Sequence, residues 1–159
     1  MDTVKLKTGQ KAPAFSLLNQ NEKKNSLADY TGMWVVLYFY PKDDTPGCTT
    51  EACDFTSGLK GFEKLSAVVL GVSPDSPESH REFIAKFNLK ITLLSDPDKK
   101  ALTRYGAWGM KKMYGKEIEG VIRSTFIIDP QGRIAHVWYD VKADGHAEKV
   151  RERLAELAG

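Results

Sequence analysis

The run Trp34-Val-Val-Leu-Tyr-Phe-Tyr40 constrains this chain more than any other stretch. It is apolar, β-branched or aromatic throughout and does not alternate with polar residues. That predicts a strand over 34–40 buried on both faces, which belongs at the centre of a sheet covered by helices on either side. Other segments extend the same sheet. "AVVLGVS" (67–73) reads as a second buried strand and "ITLLSD" (91–96) as a short third one. "RSTFIID" (123–129), the turn "PQG" and "RIAHVWYD" (133–140) predict a hairpin. Near the start, "AFSLL" (14–18) and "KNSLADY" (24–30) flank a polar turn and predict an N-terminal hairpin.

Helical patterns fill the gaps between these strands. Phe55, Leu59, Phe62 and Leu65 recur at helical spacing, although Gly58 and Gly61 weaken that helix. Ser76 as a cap and Pro77 at the first helical position open a helix over 76–88, with Phe83, Ile84 and Phe87 on one face. Residues 97–106 read as a helix ended by Gly106, and the tail 145–158 as an amphipathic helix. Trp108, Gly109 and residues 111–114 read as a partly aromatic loop. Strands alternate with helices early and a hairpin comes late, which predicts an α/β sandwich with a mixed central sheet. The pattern fits a thioredoxin-like fold with an N-terminal hairpin extension, as one domain over 1–159.

Several function classes are disfavoured. A net charge of +2 gives little basis for nucleic-acid binding. The first residues contain no apolar signal core, and no stretch approaches the ~18 apolar residues a membrane span requires. The expectation is a protein with no membrane association, retained in the cytoplasm. Two cysteines are too few for a secreted disulfide framework.

Both cysteines lie in "PKDDTPGCTTEAC" (41–53), five positions apart. Pro41 ends the first buried strand, Thr45 suits an N-cap, and Pro46 suits the first turn of a helix. Cys48 is thereby placed in the first turn of a helix, at the strand edge where open α/β sheets form their crevices. The unpaired N–H groups and partial positive charge there favour a thiolate. Gly47 leaves room beside the sulfur for a small reagent. The bland alternative is a cysteine that is merely a small buried hydrophobe. Ionising a free thiol fully at neutral pH gains only about 30-fold, so a fast enzyme must also polarise its substrate. Candidates are the Thr45 hydroxyl, backbone N–H groups and an arginine. Of six arginines, Arg123 alone enters a run expected to be buried. It must find an anion or a carbonyl, in an active site or in a structural ion pair.

In an ideal helix, residues five apart have Cα atoms about 8.7 Å apart. A disulfide requires roughly 4.4–6.8 Å. Cys48 and Cys53 therefore suit a pair that is separate in the intact helix and joined only after a local rearrangement, unless Cys53 is simply a core residue of that helix. His80, His136 and His146 are scattered and read as surface or packing residues. With two cysteines they make no convincing metal set, and no cofactor is called for.

The segment "YPKDDTPGCTTEACDF" resembles the active-site segment of the peroxiredoxin Q group, also called bacterioferritin comigratory proteins. The resemblance extends through "GQKAPAFSL", "GVSPDSPESHREF", "LLSDPDKKALTRYGAW" and "RSTFIIDPQGRI". It implies a monomeric thiol peroxidase that reduces hydrogen peroxide and organic hydroperoxides and is recycled by thioredoxin or a similar dithiol. By this resemblance Cys48 is the peroxidatic cysteine, supported by Pro41, Thr45 and Arg123, and Cys53 is the resolving cysteine. Some relatives carry the resolving cysteine on the following helix, where this chain has none. Two other readings stand beside it: a thioredoxin-class disulfide oxidoreductase, against which the cysteine spacing argues, and a non-enzymatic redox switch.

Overall fold

A computed structural model describes residues 5–159. Its main sheet has seven strands in the order β2-β1-β5-β4-β3-β8-β9. These are β1 (Ser16–Asn19), β2 (Lys24–Ser26), β3 (Trp34–Phe39), β4 (Ala67–Ser73), β5 (Thr92–Ser95), β8 (Ser124–Ile128) and β9 (Ile134–Trp138). β3, β4 and β5 are parallel to one another, and every other pairing is antiparallel. The sheet is mixed and thioredoxin-like, and the N-terminal hairpin extends it by pairing β1 to β5.

β3 explains why its sequence is apolar throughout. Val36, Tyr38 and Tyr40 point into one core, packed under α1 (Pro46–Ser57), α2 (Leu59–Lys64), α3 (Pro77–Phe87) and α5 (His146–Ala158). Val35, Leu37 and Phe39 point into a second core with Leu102, Tyr105, Phe126 and Ile128, beside α4 (Lys100–Arg104). Each fully buried side chain of this size contributes about 1.5–3 kcal/mol of transfer free energy. On the neighbouring strand, Gly71 is required by packing. A Cβ there would lie 2.8 Å from the Tyr38 ring carbon bearing the hydroxyl and 2.9 Å from Leu93 Cδ2.

Three expectations need correction. The helix after β3 is not continuous. α1 is capped at Gly58, whose N–H returns to Asp54 O, and α2 begins at the next residue. The helix expected over 97–106 shortens to Lys100–Arg104, because Asp96 accepts from the N–H groups of Lys100 (3.0 Å) and Leu102 (2.8 Å) and so sets its start. The region read as a loop is a two-stranded hairpin, β6 (Trp108–Met113) paired with β7 (Lys116–Val121). Its turn places Tyr114 at φ 54° and Gly115 at φ 78°, the positive-φ pair a tight hairpin turn requires. Among the described residues no helix is long and apolar enough to cross a membrane.

Candidate active site

α1 begins where β3 ends, at the carboxyl edge of the three parallel strands. Thr45 occupies the N-cap with extended backbone (φ −102°, ψ 156°), and its carbonyl accepts from Thr49 N–H at 2.8 Å. Its side chain does not cap the helix as the sequence suggested. The Thr45 hydroxyl instead donates to Lys42 O at 2.8 Å. Pro41 is partly buried just after the strand, and Asp44 takes a left-handed conformation (φ 59°) that lets the loop turn into the helix.

Cys48 lies in the first turn of α1, 1% exposed. Arg123, in the short link between β7 and β8, reaches it from across the sheet edge. Arg123 Nη2 donates to Cys48 Sγ at 3.2 Å, and Nη1 donates to Glu51 Oε1 at 2.6 Å. One guanidinium thus makes both an ion pair and a contact with the sulfur, a geometry compatible with either reading of Arg123. Burial works against its charge, but Glu51 and then Cys48 outweigh that and hold Arg123 above its usual value. Gly47 also gains a reason beyond access for a reagent: a Cβ there would lie 3.2 Å from Arg123 Nη2.

Glu51 was not singled out in the sequence. It sits one turn after Cys48, so both face Arg123, and it is fully buried. Burial raises its pKa from 4.5 to about 7, although Arg123 pulls it down. Its second oxygen, Oε2, and the hydroxyl of Tyr38 are buried without a hydrogen-bond partner among the described residues. Burial, and after it the Glu51 and Cys48 charges, pushes the Tyr38 phenol well above its usual range.

Cys53 lies near the other end of α1 and is half-buried against the same core. Burial and then the neighbouring Asp54 carboxylate push its thiol up. Both cysteines belong to one unbroken helix, so their sulfurs are held apart in this state.

The histidines are packing residues with polar partners. His80 is fully buried between Asp43 Oδ2 (Nδ1, 2.7 Å) and Leu94 O (Nε2, 3.0 Å). His146 pairs with Thr125 Oγ1 at 2.8 Å through Nε2, and burial, followed by Lys149 and Arg123, lowers its pKa to about 4. His136 takes a hydrogen bond from Arg153 Nε at 3.3 Å.

A buried cysteine at a helix N-terminus, gripped by a guanidinium on a thioredoxin-like sheet, defines the class of thiol-based peroxidases. Residues 8–137 match the model of the AhpC/TSA family, and the chain belongs to that family, within its peroxiredoxin Q (Bcp) group. A putative peroxiredoxin bcp of Helicobacter pylori is 53% identical over 150 residues, covering 94% of this chain and 99% of that protein. A PrxQ cysteine-to-serine mutant from Xylella fastidiosa is 39% identical with a TM-score of 0.92, covering 98% of this chain and 99% of the other. The bacterioferritin comigratory protein of Xanthomonas campestris, solved in trapped intermediate and ligand complexes bearing on its alkyl peroxide reduction activity, is 39% identical with a TM-score of 0.90. That match covers 96% of this chain and all of the other.

Proposed function

We propose that this peroxidase reduces hydrogen peroxide and alkyl hydroperoxides through a sulfenic acid at Cys48. The observation that carries the reading is the 3.2 Å hydrogen bond from Arg123 Nη2 to Cys48 Sγ at the start of α1. A guanidinium there can partner a thiolate in the resting enzyme and then the charge that moves onto the peroxide oxygens. The alkyl peroxide reduction of the Xanthomonas protein supports the same substrate class.

The Cys48 thiolate attacks the hydroperoxide oxygen that carries hydrogen. The O–O bond breaks, the alkoxide or hydroxide leaves and takes a proton, and sulfur is oxidised by two electrons to the sulfenic acid. Thr45, with its own hydrogen committed to Lys42 O, offers lone pairs to the peroxide O–H. Arg123 and the first-turn N–H groups take up the charge on the leaving oxygen. Pro41 ends the strand and sets the loop. The Cys53 thiol then attacks the sulfenic sulfur, water leaves, and an intramolecular disulfide forms after α1 opens. A dithiol of the thioredoxin type returns both thiols by exchange. The chain works as a single-domain monomer in the reducing cytoplasm, and none of these steps calls for a cofactor.

The test is peroxide-dependent NADPH oxidation with a thioredoxin system. Wild type turns over, and Cys48→Ser loses all activity. A thioredoxin-class oxidoreductase would reduce disulfides without consuming peroxide, and a redox switch would form its disulfide once without turnover. Retention of most peroxide turnover in Cys48→Ser would remove the assignment of Cys48.

A further inference from the structure

The loop that carries Thr45 is tied down by a set of buried polar groups that the reaction itself does not use. Asp43 is nearly buried. Its Oδ1 accepts from the Tyr40 hydroxyl at 2.6 Å, and its Oδ2 accepts from Ser79 Oγ at 2.8 Å and faces His80 Nδ1 at 2.7 Å. These bonds hold the loop in place. One further bond sets its orientation: Asp43 N–H donates to Asp75 Oδ2 at 2.8 Å.

That N–H shares a peptide group with the Lys42 carbonyl. The peptide is trans, so its N–H and C=O point in opposite directions within one plane. On one side the plane is held by Asp75. On the other, the Lys42 oxygen accepts the Thr45 hydroxyl at 2.8 Å. A hydroxyl has one hydrogen and two lone pairs. With the hydrogen fixed on Lys42 O, the exposed side of the Thr45 oxygen can only accept.

Asp75 is itself well anchored. Ser73 Oγ donates to the same Oδ2 at 2.7 Å, and Ser95 Oγ donates to the Asp75 carbonyl at 2.5 Å. Ser73 and Ser95 are the last residues of β4 and β5, so the anchor sits on two central parallel strands.

We propose that Asp75 is a positioning residue for the peroxide reaction. Through the 42–43 peptide it fixes the Lys42 carbonyl, and so presents the Thr45 hydroxyl as an acceptor for the peroxide O–H. The inference rests on the reading of Thr45 as a peroxide contact. Without Asp75 the peptide can rotate, the Thr45 hydrogen is freed, and the hydroxyl presents either its donor or its acceptor side.

A double-mutant cycle tests this, with stopped-flow oxidation of Cys48 by hydrogen peroxide as the readout. Asp75→Ala is expected to slow the reaction about tenfold, the scale of a small misplacement of a contacting group. In a Thr45→Val background the same change is expected to cost less than about twofold, since the two residues act as one unit. Asp75→Asn keeps an acceptor and recovers most of the rate. Alkylation of Cys48 by iodoacetamide, which has no peroxide O–H to accept, stays within about twofold of wild type throughout. If Asp75→Ala does not fold, Ser73→Ala, which removes a donor that orients the same carboxylate oxygen, carries the cycle with a smaller effect. Equal losses from Asp75→Ala in both backgrounds, or equal slowing with peroxide and iodoacetamide, would overturn the proposal. A normal rate in Asp75→Ala beside a slow Thr45→Val would overturn it alone. A normal rate in Thr45→Val would remove the role of Thr45 and this inference with it.

Discussion

The two ends of α1 carry the same residue type in opposite settings. At the start, Cys48 is sealed beneath Arg123, which is braced by the buried Glu51, and the loop before it is bonded to α3 and to Asp75, which Ser73 of β4 and Ser95 of β5 hold in turn. Towards the other end, Cys53 is half-buried, its thiol is pushed up, and the helix stops at Gly58. A cavity of about 390 Å³ lies beside that end, lined by Asp54 and Ser57 of α1 and its cap Gly58 with Gly145, Glu148 and Arg151. One end has its partners in place before any substrate arrives. The other has fewer constraints and room to leave. On the proposed mechanism, that difference rather than the cysteines themselves is what should make the first oxidation rapid and disulfide formation delayed.

Cys53→Ser separates the ends most sharply. It is expected to abolish thioredoxin-coupled turnover while leaving the first oxidation of Cys48 at close to the wild-type rate. Mass spectrometry should then find sulfinic acid at Cys48 as peroxide is raised. A slow first oxidation in this variant would mean that the two ends are not independent.

Next in size is Arg123→Met, expected to slow Cys48 oxidation by about 10²–10³, the usual effect of removing one donor to a developing charge. The thermal midpoint should move far less, since Glu51 can take up a proton when its partner is lost. An unchanged oxidation rate would leave Arg123 as a structural ion pair.

Glu51→Gln keeps an acceptor for Arg123 but removes the buried charge, and about a tenfold loss in the same rate is expected. Its effect on stability has a definite sign. The folded pKa of about 7 lies above the ordinary 4.5, so Glu51 contributes stability that is fully present below 4.5 and lost as pH rises through about 7. The variant should therefore gain on wild type as pH climbs through 7, measured by thermal unfolding. His146 has the opposite sign. With its pKa lowered from 6.5 to about 4, its contribution is present above 6.5 and lost as pH falls through 4. A Glu51→Gln variant that parallels wild type from acid to alkaline pH would contradict the raised carboxyl.

The smallest effect is expected of Gly58→Ala. A Cβ there meets only Asp54 O at 3.5 Å and Phe62 at 3.8 Å, so alanine fits and extends the helix. A gain of up to about 1 kcal/mol in helix stability would slow disulfide formation a few-fold without touching the first oxidation. Faster disulfide formation would place the opening elsewhere.

Much of the Cys48 end was legible in the sequence because each residue broke a local expectation. An arginine entering a buried strand needs an anion, and Thr-Pro before a glycine and a cysteine announces a helix start. Glu51 gave no such signal: a glutamate in a helix looks the same whether it faces water or a core. The bonds among Asp43, Asp75 and His80 join segments 32 and 37 residues apart, which no local pattern encodes. The β6–β7 hairpin was hidden because its strands carry lysines and glutamates without apolar alternation, leaving only the Tyr114-Gly115 turn as a sign. Thr45 was placed at the right position, but its hydroxyl is turned to the Lys42 carbonyl and makes no capping bond, an orientation that residue type alone does not encode.

The central claim is that peroxide oxidises Cys48 and that Cys53 reaches it only when α1 opens. The direct measurement is to treat the reduced protein with one equivalent of hydrogen peroxide and map the cysteines by peptide mass spectrometry. The expected product is a Cys48–Cys53 disulfide within one chain, a bridge that the helix at about 8.7 Å Cα separation forbids while intact. Peroxide consumed with both thiols still free, or a disulfide found only between chains, would contradict the account.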